Sequence, residues 1–144
     1  MGARRLSAAA FAVSGALIGG LWAVALSLIF SGPGLIQIPV RGPLDLVARV
    51  AAGAGVFAIP WALVGAGVGP ALARADGRGA AARIGVAAAG ALTVVGVGLP
   101  LVLVGEDVSR AWIPVGAGVT LGFTPFAIAS AVWAWHRLRR TRVE

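Results

Sequence analysis

The chain has 144 residues, 59% of them hydrophobic and 12% charged, with no cysteine and a formal net charge of +7. That length suits one domain, and the apolar share lies above the ~45 to 50% of an ordinary soluble domain, which places the chain in the membrane class. With no Cys, Lys or Tyr and a single His136, it lacks the groups for disulfide exchange, thiolate nucleophiles, thiolate metal sites, Schiff bases and phenol chemistry.

The charges leave four windows empty, between Arg5 and Arg41, Arg49 and Arg74, Arg83 and Glu106, and Arg110 and Arg137, apart from His136. Each exceeds the ~18 apolar residues that a spanning helix needs, so the sequence predicts an all-α polytopic membrane protein whose four transmembrane helices form one bundle. The whole chain, 1–144, is then a single membrane domain.

The first span is predicted over 6–30, opened by Arg4 and Arg5 and ended by Ser31-Gly32-Pro33-Gly34. A cleaved signal peptide ending at Ala23-Val24-Ala25 is the rival, but the apolar run continues through Phe30, beyond the ~7 to 15 residues of a signal core. Retention as an anchor is expected. Residues 35–40 are apolar but short, and Pro39 and Pro43 interrupt any helix there, so this stretch is expected on the membrane surface or capping the bundle. The second span is predicted over 50–72. A polar turn with Arg74, Asp76 and Arg78 leads to the third over 84–104, and Glu106, Asp107 and Arg110 precede the fourth over 111–135.

Arginine asymmetry sets the orientation. Arg4, Arg5, Arg74, Arg78, Arg83, Arg137, Arg139, Arg140 and Arg142 fall on one side with Asp76 and Glu144, giving 9 − 2 = +7. Arg41, Arg49 and Arg110 fall on the other with Asp45, Glu106 and Asp107, giving 3 − 3 = 0. The expected location is the cell membrane, multi-pass, with both termini cytoplasmic. Because orientation accounts for the basic charge, no nucleic-acid partner is implied.

Pro60-Trp61-Ala62-Leu63 resembles Pro125-Phe126-Ala127-Ile128, each after a glycine-rich stretch, and Pro33 and Pro100 fall at comparable places before them. Two tandem helical hairpins would give this pattern. Pro60 and Pro125 should kink their helices and release the carbonyls of Val56 and Leu121. Gly15 with Gly19, Gly65 with Gly69, and Gly118 with Gly122 are spaced four apart, so each pair offers a smooth face for helix packing. Thr120 and Thr124 form the candidate intramembrane polar face, with Thr93 and Ser130 the nearest further hydroxyls.

No charge falls inside a span, which argues against a proton relay. No catalytic residue, metal site or cofactor is predicted, and an enzyme would need Asp45, Glu106 and Asp107 to converge at the outer surface. His136 beside four arginines reads as an interfacial side chain. The functional expectation is a non-enzymatic accessory or interaction protein that works through helix packing with lipid, another membrane protein or a second copy of itself. The alternative is a small transporter or channel subunit working as an oligomer.

Overall fold

The computed structural model describes residues 2–30, 39–95 and 106–141, and for 26, 29, 30 and 106–120 it describes the backbone alone. The described residues form an all-α structure of four helices: α1 Ala3–Phe30, α2 Pro43–Arg74, α3 Arg78–Thr93 and α4 Glu106–Arg140. Two of them, α1 over Ala3–Ala25 and the whole of α2, are long and apolar enough to cross a membrane.

Helix α2 begins seven residues before the predicted span. Pro43 occupies its first turn, where the missing N–H costs nothing, and Gly42 before it has φ +150°, a conformation that glycine tolerates and other residues rarely adopt. Asp45 completes this start by accepting from the Arg41 backbone N–H at 3.1 Å and from the Arg49 guanidinium at 3.0 Å. Helix α3 begins six residues earlier than predicted and closes through a wider turn at Val94 and Val95. The end of its predicted span, 96–104, and the surface stretch 35–38 lie outside the described residues. Helices α2 and α4 run unbroken through Pro60 and Pro125, and Pro70 is a further proline inside α2.

Helix α1 packs chiefly on α2, and α3 chiefly on α4, with lesser contacts joining α1 to α4 and α2 to α3. The chain therefore pairs as two hairpins. The matching tetrapeptides do not occupy matching faces, however: Trp61 is 1% exposed, whereas Phe126, its counterpart, is 36% exposed and it is Ala127 that faces inward. Pairing of successive helices follows from short connections alone, so it says nothing of duplication.

The two hairpins are sealed differently. Between α1 and α2 the seam is glycine: a methyl on Gly15 would lie 2.7 Å from the Phe57 carbonyl oxygen, and one on Gly65 would lie 2.7 Å from the Phe11 Cβ. Between α3 and α4 it is mostly alanine, with Ala81, Ala88 and Ala89 facing the interior alongside Ala127, Ala131 and Ala134, and Gly85 touching the Ile128 backbone. Where the hairpins meet, the rings of Phe11, Trp61, Phe123 and Phe57 interlock, with Trp61 and Phe123 edge to face at 5.4 Å and Phe57 and Phe123 at 6.0 Å. Such contacts are worth ~0.5 to 1.5 kcal/mol each beyond area burial.

Antiparallel packing gathers the arginines. The Arg4 backbone lies against Gly69 near the end of α2, and the α2–α3 turn meets the end of α4 through Trp135 and Arg139. Arg4, Arg5, Arg74, Arg78, Arg137, Arg139 and Arg140 thus share one end of the molecule, and Arg41, Asp45 and Arg49 occupy the other.

Candidate functional site: the bundle interior and the arginine-bearing end

Of the six glycines singled out for packing, four lie in the α1–α2 seam: Gly15 against Phe57 and Trp61, Gly19 against Gly53, Gly65 against Ser7 and Phe11, and Gly69 against Ala3 and Arg4. The expectation for Gly122 is corrected, because Gly122 is exposed and an added methyl there would have nothing within 4 Å. Spacing of four puts two residues on one face of a helix without saying which face turns inward. The side chains of Thr120, Glu106, Asp107 and Arg110, and the surroundings of Gly118, lie outside the described residues. Asp45, the outer acid whose side chain is described, is engaged with Arg41 and Arg49.

The polar groups inside the bundle differ in how they are satisfied. Ser14 on α1 and Ser130 on α4 share a hydrogen bond of 2.6 Å between their hydroxyls, joining the two hairpins across the interior. Thr93 donates to the Ala89 carbonyl at 2.9 Å, within its own helix. Ser7 is fully buried and its Oγ has no hydrogen-bond partner among the described residues. Thr124 is half-buried and is engaged. Val56 and Leu121, whose carbonyls the prolines release, are 66% and 77% exposed, on the outer surface of the bundle. Sequence reasoning missed Ser14, since a lone serine in a helix usually bonds back to its own turn and only the partner across the interior distinguishes it.

At the arginine-bearing end, the α2–α3 turn and the last turns of α4 enclose a pocket of about 290 Å³. Leu72, Trp135 and Leu138, all three buried, contribute to its lining. Arg74, Asp76 and Arg139 line its rim. The Trp135 indole N–H donates to the Ala75 carbonyl at 3.0 Å, which fixes the turn against α4. One turn further on, the Arg139 guanidinium lies 5.0 Å above the Trp135 ring and donates to the Asp76 carbonyl at 3.2 Å. Two contacts thus hold a flexible side chain in one place. Nearby, Arg137 lies 5.3 Å above Trp133, an exposed indole. His136 is exposed, and among the described residues no group of three or more His, Asp or Glu side chains could hold a metal.

Compared with known proteins, the chain matches no family model, no curated protein and no solved structure.

Proposed function

We propose that this chain is a four-span membrane protein with a closed interior, which works through its outer surface by contact with lipid or with another membrane protein. The hydrogen bond between Ser14 and Ser130 carries the reading. A transport path needs polar groups turned toward a shared lumen, and these hydroxyls satisfy each other instead, beside a seam too tight for a methyl group.

The surface supports a membrane setting. In an 18-residue apolar window of each membrane-length helix only 22% of residues are buried, unlike the core helix of a soluble protein. Leu17 and Leu21 on α1, Ile59 and Leu63 on α2, and Leu121 on α4 are all more than half exposed, a cost that lipid removes. On α2, Gly55 and Gly67 flank Ile59 and Leu63 on one outward face, with nothing within 4 Å of either glycine. A partner helix could approach closely there.

The test is flux and capture with one preparation. Protein reconstituted into liposomes should leave entrapped potassium, chloride and glycerol no leakier than empty liposomes, and tagged protein extracted from its native membrane in mild detergent should retain a stoichiometric membrane-protein partner or purify as a defined oligomer. Solute flux above background that disappears in a folded S14A/S130A variant would replace this reading with that of a transporter or channel subunit.

A further inference from the structure

The pocket at the arginine-bearing end combines four properties that the bundle's packing does not require. Its rim carries two guanidinium groups, Arg74 and Arg139, against one carboxylate, Asp76. Arg139 is held in place by the Trp135 ring and the Asp76 carbonyl, and that carbonyl engages one of the five N–H groups a guanidinium offers. Helix α3 starts beside the pocket with Gly77 as its cap, so no side chain covers its first N–H groups; its first turn bears Arg78 and no acid. The positive end of that helix dipole adds to the arginines. Buried Leu72, Leu138 and Trp135 back the pocket and hold its walls in place, and the volume is near the ~300 Å³ at which small-ligand sites begin.

Depth selects the ligand. Helix α2 has 32 residues, and at ~1.5 Å per residue it is about 48 Å long, slightly more than the ~40 to 45 Å of a bilayer with its headgroups. In the membrane setting proposed above, on which this inference rests, the C-terminal end of α2 and the pocket beside it lie at the level of the phosphates. We propose that the pocket binds the phosphate of an anionic phospholipid headgroup. Arg74 and Arg139 take the phosphate oxygens, and the free N–H end of α3 adds its positive potential. A basic recess between helices on the arginine-rich side suits such a headgroup, and a guanidinium fork matches phosphate geometry.

Native mass spectrometry of the full chain in detergent tests this, with phosphatidylglycerol, phosphatidylcholine of the same acyl chains, and inorganic phosphate as probes. One phosphatidylglycerol should remain bound in preference to phosphatidylcholine, and R74Q and R139Q should each lower its occupancy by about fivefold. R139Q also loses the Asp76 and Trp135 contacts, so R74Q is the variant with less risk to folding. R83Q, which removes the same charge outside the pocket lining, should leave occupancy unchanged. Equal retention of the two lipids, equal loss in R83Q, or an R74Q protein that binds as well as wild type would overturn the assignment. Displacement of the lipid by stoichiometric inorganic phosphate would overturn it in favour of a soluble anion. Alkaline carbonate extraction separates the two levels: a chain washed from the membrane sinks the membrane reading itself, whereas one that stays in the pellet yet ignores phosphatidylglycerol sinks only the pocket.

Discussion

Gly19 of α1 and Gly53 of α2 bring their helices together backbone to backbone: a methyl on Gly53 would lie 2.6 Å from the Gly19 carbonyl oxygen, and a methyl on Gly19 would run into the Gly53 carbonyl. Neither obstacle is the end of a flexible side chain, so a substitution has to push the helices apart. G53A should cost ~1 to 3 kcal/mol, the range of overpacking. On the outward face of the same helix, G67A meets nothing within 4 Å and exchanges a poor helix former for the best one, so it should be neutral or stabilising by up to about 1 kcal/mol. Thermal denaturation in one detergent compares the pair, and equal losses at both positions would count against the seam.

How much of this was legible in the sequence depends on which contacts are local. Gly15, Gly19, Gly65 and Gly69 were readable because two glycines a turn apart on an uncharged helix make a smooth stripe. Gly53 has no such neighbour at position 57 and matters only because Gly19 lies opposite, a tertiary fact. The alanine seam was hidden by abundance, since Ala127, Ala131 and Ala134 look like every other alanine until one face is seen to be buried. Gly122 failed for the converse reason, a correct spacing on the wrong face. Pro43 was read as a break before the second span, and it is also the first residue of α2. Of the pocket, sequence reasoning had the arginines and the indole, but not the turn geometry that brings residues 60 apart into contact at Trp135 and Ala75.

Ser14 and Ser130 should behave as a coupled pair. Removing either hydroxyl strands the other, Ser130 in a buried and Ser14 in a half-buried position, whereas removing both leaves two small apolar groups in contact. S14A and S130A should each destabilise, and the double variant should lose less than their sum, with a coupling energy of ~0.6 to 1.7 kcal/mol as found for hydroxyl bonds between membrane helices. A double-mutant cycle by denaturation in mixed micelles measures it. Strict additivity would mean that the bond contributes nothing.

Ser7 should show the opposite sign. Its Oγ is buried without a partner among the described residues, and a desolvated hydroxyl with no hydrogen bond is a cost that alanine removes. S7A should therefore be neutral or stabilise by about 1 kcal/mol, despite lying in the same helix as Ser14. A melting temperature lowered by S7A would reveal a hydrogen bond to Oγ.

Orientation supplies the last prediction. Arg4, Arg74, Arg78, Arg137 and Arg139 come together at one end of the molecule, and short loops rich in arginine stay on the cytoplasmic side. Reporter fusions after Val40, Gly77, Asp107 and Glu144 should accordingly read outside, inside, outside and inside. The N-terminal segment should be retained in the mature protein, because Phe11, Gly15 and Gly19 form half of the seam that buries Trp61; cleavage before Leu26 would strip away most of α1 and leave that indole uncovered. Intact mass spectrometry of protein from the membrane fraction checks retention independently of the reporters. An inside reading after Val40 together with an outside C-terminus would invert the scheme, and it would place the Arg74–Arg139 pocket in the leaflet that the positive-inside rule disfavours.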